Sequence, residues 1–170
     1  MTATPAVFRQ AQQPIETILE ILTATPQRIT SASAGLETAR LHFRSDEKTW
    51  SANDILAHLC ACADVWGKSM AAMLTQDHPT LRYVLPRTWI KKTNYPELEF
   101  RASLLAFTAQ RDDLLKSLKA LTIQDWSRGA TFTATTLGRE HTVSSYARRM
   151  ALHESDHCEQ IEVLLKETKA

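Results

Sequence analysis

The chain has 170 residues, the length of one ordinary domain, and can bury a sizeable hydrophobic core without disulfides. Its 20 lysines and arginines and 19 acidic residues give a formal charge of +1, which excludes strong electrostatic attraction to nucleic acid or anionic lipid. Only 4 glycines occur and apolar residues recur every three or four positions, so we predict a single all-α domain over residues 1–170.

The first residues and the cysteines indicate a soluble, cytoplasmic protein. The chain lacks a basic start followed by an apolar run, and no apolar stretch approaches the ~20 residues that cross a bilayer. The number of cysteines, three, is odd, and a helix would turn Cys60 and Cys62 about 200° apart. We therefore expect reduced thiols, and neither nucleic acid nor a membrane as a partner.

A first helix is predicted from Pro5 or Pro14 to Thr25, because apolar residues form one stripe there. Proline is tolerated in a first turn but not in a helix interior, so Pro26 is predicted to end this helix. Residues 27–49 are polar and weakly periodic, and we predict a long connection with one short helical turn at most.

The second helix is predicted to begin after Ser51, which is a favourable N-cap residue, with Asp54 in the first turn. Helical spacing then places His58 on the inward line between Ile55 and Cys62. A neutral histidine among apolar residues needs a hydrogen-bond partner or a metal to offset its desolvation.

Residues 77–96 are predicted to form a structured crossover. Pro79, Pro86 and Pro96 interrupt any helix, while the aromatic and aliphatic content is too high for a disordered segment. Long ordered connections often cover a core edge or carry function, so we expect this crossover to close one end of a helical bundle.

A third helix is predicted from about Glu97 to Leu118. Arg111 falls close to its apolar stripe, where it would snorkel or pair with a carboxylate, or alternatively contact an anionic substrate. Residues 125–140 are rich in threonine with two glycines and could be a loop or an irregular hairpin; we assign a loop.

The fourth helix is predicted to be capped by Thr142, and its inward line includes His153 and His157, four residues apart. That spacing puts both imidazoles on one helix face, so their nitrogens can converge on a single ion. With His58 as the third ligand, we hypothesise a divalent-metal site. The alternative is that His58, His153 and His157 are ordinary core histidines. The other three histidines, His42, His78 and His141, are expected to be solvated.

The segment from His153 to His157 also resembles the H-E-x-x-H signature of zinc proteases, in which the glutamate is the general base. A bundle core differs from a protease cleft, so we expect Glu154 to point partly away from the metal. It would then be a surface carboxylate or a partner of an imidazole N–H.

Other residues near the predicted site have open roles. Cys62, one turn beyond His58, could be a fourth ligand, a reactive thiol or a small buried residue. Gln160 could hydrogen-bond a metal-held water or a histidine. Tyr146 could reach the site and Trp66 or Trp89 could line a pocket, whereas the remaining cysteines are expected to pack in the core.

These short motifs together resemble the DinB-like superfamily of metal-binding four-helix bundles. The resemblance is carried by Trp50-Ser51 with His58 seven residues further, by residues 86–90 with Tyr95, by residues 125–127 and by residues 153–161. It implies an up-down-down-up four-helix bundle, often a homodimer, with the three histidines holding the ion. Nickel or zinc is implied first, with iron or manganese as further candidates.

The resemblance also suggests a reaction, because known relatives include thiol-dependent S-transferases and a mycothiol-dependent isomerase. We therefore expect a low-molecular-weight thiol and an electrophile as partners, with water or a thiol held by the ion as the reacting group. A metal-dependent hydrolase is the second reading, and a non-catalytic metal-binding stress-response bundle is the third. Imidazole ligands suit several metals, so the sequence does not fix which ion is bound.

Overall fold

The computed structural model of the chain describes residues 14–135 and 138–166. The four long helices are α1 (Ile15–Ser33), α3 (Ala52–Thr75), α5 (Phe100–Lys119) and α7 (Val143–Lys166). The connections contain α2 (Thr38–Leu41), β1 (Thr80–Arg82), α4 (Pro86–Trp89), two 3-10 turns (Ile90–Lys92 and Tyr95–Glu97), α6 (Ile123–Ser127), β2 (Gly129–Thr133) and β3 (Glu140–Thr142). The predicted four-helix bundle with long structured connections is confirmed.

Each long helix packs against two others: α1 and α3 both contact α5 and α7. Arg28, near the end of α1, pairs with Glu162, near the end of α7, so these two helices run parallel. Arg101, at the start of α5, bonds Ser33, at the end of α1, so that pair is antiparallel. The order is up-down-down-up, as predicted, and no helix of the described residues is long and apolar enough to span a bilayer.

The start of α3 agrees with the prediction. The Ser51 hydroxyl accepts a hydrogen bond from the Asp54 backbone N–H, and the Asp54 carboxylate accepts one from the Ser51 backbone N–H. This reciprocal capping box satisfies two of the amide groups left free at a helix start and fixes where His58 falls on the helix. Thr142 caps α7 similarly, through the backbone N–H of Ser145.

The predicted end of the first helix was wrong. Pro26 lies inside α1, which continues to Ser33, and the buried face continues through Ile29. Proline there removes one backbone hydrogen bond at a cost of about 3 kcal/mol, which the burial of two further turns against α5 and α7 offsets. The start at Ile15 fits Pro14 as the preceding residue; the alternative start at Pro5 lies outside the described residues.

The loop assigned to residues 125–140 was also wrong. β2 pairs in parallel with β1 and antiparallel with β3, giving a small three-stranded sheet beside the bundle. Ala130 and Phe132 are buried, while Thr131 between them is half-buried and Thr133 is exposed, which is the period-two pattern of a half-buried strand. Thr136 and Leu137 of this segment lie outside the described residues.

The apolar core has two halves along the bundle, one around Trp66 and Met150 and the other around Leu56 and Ile161. Between them lies a set of buried or half-buried polar side chains that we call the polar layer: His58, Arg111, His153, Glu154 and His157. The fold therefore places these polar side chains of three helices at one level of its interior.

Candidate metal centre

The three predicted histidines come together inside the bundle. His58 Nε2 lies 3.2 Å from His153 Nε2, and His157 Nε2 lies 3.2 Å from the same atom. The ring centroids of His58 lie 5.1 Å from those of both His153 and His157. Helix α7 supplies two imidazoles one turn apart, and the antiparallel neighbour α3 supplies the third.

Hydrogen bonding alone does not satisfy this arrangement. Each imidazole nitrogen carries either one proton or one lone pair, so His153 Nε2 cannot bond well to both neighbours. Its other ring nitrogen, Nδ1, is buried and has no hydrogen-bond partner among the described residues. A cation shared by the three Nε2 atoms would use their lone pairs together, and ligand bonds of ~2.0–2.1 Å are compatible with such close spacing.

Gln160 orients His157. Its side-chain oxygen lies 2.7 Å from His157 Nδ1, and an amide oxygen only accepts, so Nδ1 carries the proton. The lone pair of His157 is thereby left on Nε2, the atom that faces His153. Of the two roles predicted for Gln160, the structure shows the contact with a histidine.

Cys62 is a fourth possible ligand. Its Sγ lies 3.5 Å from His58 Nε2, and the ligand atoms of Cys62, His58 and His153 all lie within 4.8 Å of one another. The thiol is fully buried, and burial raises its pKa well above the ordinary value, so it is protonated in the metal-free site. His157 falls outside that tightest group but contacts His153 directly. Cys62 and His157 are therefore both within reach of an ion bound by His153.

Burial also keeps the histidines neutral. Desolvation first, and then the charge of neighbouring groups, lowers the pKa of His58 to about 4 and that of His153 to about 3. Burial likewise lowers the pKa of His157, partly opposed by the hydrogen bond that its Nδ1–H donates to Gln160. Neutral imidazole is the form that binds a metal ion, so the site is in its ligating state at neutral pH.

Two tryptophans hold the imidazoles in place. The Trp50 ring lies 5.1 Å from the His58 ring and 6.2 Å from the His157 ring, centroid to centroid. Trp66 meets His153 edge-on at 4.9 Å and is almost fully buried. Trp66 or Trp89 could have lined a pocket by sequence, but Trp66 lines neither of the two cavities beside the histidines and packs against the His153 ring.

A surface cleft of about 920 Å³ opens beside His157, and its wall includes Trp50, Arg87 and Gln160. A smaller cavity of about 130 Å³ lies beside His58 and shares Trp50 and Arg87 with the larger one. The imidazole cluster therefore has an open side, bounded by α7, the start of α3 and the crossover that contains Arg87.

Glu154 and Arg111 form a buried ion pair beside the histidines. Both side chains are fully buried and form an ion pair across the diagonal of the bundle, between α7 and α5. Arg111 also lies 3.1 Å from the sulfur of Met150. The carboxylate pairing predicted for Arg111 is confirmed, whereas its contact with a substrate is excluded by burial.

The two roles predicted for Glu154 were wrong. It is neither a surface carboxylate nor the partner of an imidazole, because its neighbour in the structure is Arg111. Burial raises the pKa of Glu154 to about 7 and the Arg111 charge opposes this rise. Glu154 is consequently not placed as the general base that the zinc-protease signature would require.

The remaining predicted neighbours lie elsewhere. Tyr146 stacks on Phe132 of β2 at 5.1 Å, so it supports the sheet instead of the histidines. The prediction that His141 is solvated was wrong: it is half-buried and lies edge-on against both of those rings. Trp89 donates a hydrogen bond to Asp64, and all three cysteines are buried and free, as expected for reduced thiols.

Sequence reasoning missed two cations. The Arg87 guanidinium lies 5.2 Å from the Trp50 ring, and the Arg149 guanidinium lies 5.1 Å from the Trp66 ring. Both charges lower the pKa of His153. Arg87 follows Pro86 in the apolar crossover, and a cation inside such a segment is the signal that could have drawn attention to it.

Comparison with known proteins relates this architecture to a described family. The family model of the DinB superfamily matches residues 21–161. No functionally curated protein matches the chain.

Two solved structures share the fold. YfiT from Bacillus subtilis, described as a probable metal-dependent hydrolase with an unusual four-helix bundle topology, superposes with a TM-score of 0.78 at 17% identity, covering 97% of this chain and 93% of YfiT. A mycothiol-dependent maleylpyruvate isomerase superposes with a TM-score of 0.67 at 15% identity, covering 88% of this chain but 61% of the isomerase.

Proposed function

The chain belongs to the DinB superfamily, and from this premise we propose that it is a metal-dependent enzyme in which His58, His153 and His157 hold a divalent ion. The observation that supports this most strongly is the convergence of three Nε2 atoms at 3.2 Å contacts in a buried site. A nickel or zinc ion fits the all-nitrogen donor set, and iron or manganese would also be accepted.

The reaction we favour is transfer of a low-molecular-weight thiol to an electrophile. A divalent ion in this site would supply the positive charge that lets a thiol lose its proton near neutral pH. In the transfer, the thiol sulfur forms a bond to an electrophilic carbon and the leaving group departs with its electron pair. Support comes from the shared fold of the mycothiol-dependent isomerase and from the open cleft beside His157.

The residues of this chain have distinct tasks in that proposal. Gln160 keeps the His157 lone pair on Nε2, Trp66 packs edge-on against His153, and Trp50 lies on the wall of both cavities. Burial of His58 and His153 limits protonation, which would otherwise compete with the ion. Metal-dependent hydrolysis is the second candidate, because YfiT shares the fold and is described as a probable metal-dependent hydrolase.

The test combines metal analysis with activity. Untagged protein is incubated with nickel or zinc, freed of excess ion, and assayed for bound metal and for conjugation of a panel of thiols to 1-chloro-2,4-dinitrobenzene. We expect about one ion per chain and thiol-dependent turnover, both lost in His153→Ala. His42→Ala is the matched control, since His42 is an exposed histidine outside the site.

The outcomes separate the candidates. If the wild-type protein never retains an ion, the metal site is contradicted and the three histidines are ordinary core residues. Retained metal without turnover of any thiol, but with hydrolysis of p-nitrophenyl acetate, favours the hydrolase. Thiol transfer that survives His153→Ala contradicts the proposed role of the histidines.

A further inference from the structure

The open side of the histidine cluster carries a guanidinium without an anionic partner. Arg87 is exposed, lies on the wall of both cavities beside the histidines, and has no hydrogen-bond or ion-pair partner among the described residues. Its charge acts on His58, His153 and His157 alike. It is therefore close to the centre, and its donors are available to a ligand.

Other charged groups also line the two cavities. Asp54, on the wall of the smaller cavity, is paired with Arg44 at 2.6 Å and accepts hydrogen bonds from Ser51. The larger cleft is also lined by Asp156 and Glu159 of α7 and by Lys48. In the smaller cavity beside His58, the charge that remains without a partner within the described chain is that of Arg87.

Arg87 is also held in place. Its guanidinium lies over the Trp50 ring, which leaves the in-plane N–H groups free for a planar anion. The crossover that contains it is anchored to α3, because Trp89 and Tyr95 donate hydrogen bonds of 3.1 Å and 2.8 Å to Asp64. Gln110 of α5 donates to the other oxygen of the same carboxylate at 2.7 Å.

A cation at the entrance of a site that would hold a divalent ion favours a negatively charged ligand. The histidines are neutral ligands, so a bound divalent ion would keep its full charge. A second cation, Arg149, stacks on Trp66 and Tyr83 on the inner side without a carboxylate partner among the described residues. Apolar surface for the rest of a ligand is provided by Ile55, Val163 and Leu164 on the cleft wall.

We infer that the site selects a substrate that bears a carboxylate, and that the Arg87 guanidinium binds this carboxylate while the reactive end of the molecule faces the histidines. The inference rests on the proposed metal-dependent function and makes Arg87 a specificity-determining residue. Two parallel N–H to oxygen bonds give the strong planar pairing that a guanidinium forms with a carboxylate.

The experiment uses protein loaded with cobalt(II), whose visible spectrum reports a thiol that enters the site. 3-Mercaptopropionate is compared with 3-mercaptopropionamide, a neutral molecule of the same shape, by titration of the absorption change. We expect the carboxylate to bind about tenfold more tightly to the wild type. Arg87→Gln should abolish this preference, and Arg87→Lys should retain part of it.

Lys68→Gln is the matched control. Lys68 is likewise an exposed cation stacked on a tryptophan, Trp89, but it lines neither cavity, so its replacement should leave the preference unchanged. Equal affinities in the loaded wild type, or a preference that survives Arg87→Gln, overturn carboxylate selection alone. If the wild-type protein does not bind cobalt, both this inference and the proposed metal site are overturned.

Discussion

His157 shows how one side chain sets the chemistry of another. The ring can carry its proton on either nitrogen, and the Gln160 oxygen at 2.7 Å selects the form with the proton on Nδ1. Partners of this kind fix the orientation of a ligating imidazole and raise its basicity. The site therefore depends on a residue that would not itself touch the ion.

Replacement of Gln160 by leucine is expected to weaken metal binding about 10- to 100-fold, because the His157 ring then loses its fixed tautomer and orientation. Affinity is measured by competition with a coloured chelator at neutral pH. Gln124→Leu is the control, as Gln124 is an exposed glutamine of α6 remote from the histidines in the described structure. An unchanged affinity in Gln160→Leu would show that the hydrogen bond has no role in ligation.

At single positions, sequence reasoning succeeded where helical geometry decides. The spacing of His153 and His157 and the phase of His58 after a capped helix start are local properties, and they placed the three rings together. Glu154 and Arg87 depend on contacts with distant segments. The pairing of Glu154 with Arg111 crosses the bundle diagonally, and no pattern within α7 records it.

Among the elements, the small sheet ties the connections to the bundle. The Arg128 side chain donates to the Met73 and Gln76 carbonyl oxygens at the end of α3, and its own carbonyl accepts from the Val143 N–H at the start of α7. Gly129 follows directly, and a Cβ placed there would lie 2.8 Å from the backbone oxygen of His141. Close approach of β2 and β3 therefore requires glycine at this position.

Two glycine substitutions are expected to act in opposite directions. Gly129→Ala should lower the free energy of unfolding by about 1–3 kcal/mol, since two backbone segments must separate to admit the methyl group. Gly67→Ala should raise it by about 1 kcal/mol, because Gly67 lies within α3 with open space around it and alanine favours the helix. Urea unfolding of both variants provides the measurement. A Gly129→Ala protein as stable as the wild type would contradict the close approach.

The errors in element prediction have one physical cause. Pro26 and the threonine-rich segment were judged by local preference, whereas packing decided both. α1 passes Pro26 because its buried face continues against two neighbouring helices, and β2 forms because β1, about fifty residues earlier in the chain, offers it a parallel partner. Capping at Ser51 and Thr142 was predictable, since the hydrogen bonds concerned join residues three apart.

For the whole molecule, the buried histidines couple stability to pH. In the unfolded chain a histidine has a pKa of about 6.5, whereas in the folded protein that of His58 is about 4 and that of His153 about 3. Below 6.5 the unfolded state therefore binds more protons than the folded state. The stabilisation is complete above pH 6.5 and is lost as the pH falls through 4 and then 3.

We expect the metal-free protein to lose several kcal/mol of unfolding free energy from this source between pH 7 and pH 3.5. Urea unfolding across that range gives the profile, and His153→Leu removes one of the two buried histidines that produce the loss. The variant should show a shallower loss. Identical profiles would contradict the burial of a neutral His153, and added zinc should raise the wild-type curve most at neutral pH, where protons do not compete.

Asp64 gathers hydrogen bonds from Trp89, Tyr95 and Gln110, which belong to two separate stretches of chain. The Asp64 carboxylate thus fixes the crossover that borders the entrance to the histidines. If evolution replaced only Asp64, the crossover would become more mobile. The site would then admit a wider range of substrates and release its product faster. The ion-holding rings would be untouched, so new preferences can evolve here without rebuilding the reactive centre.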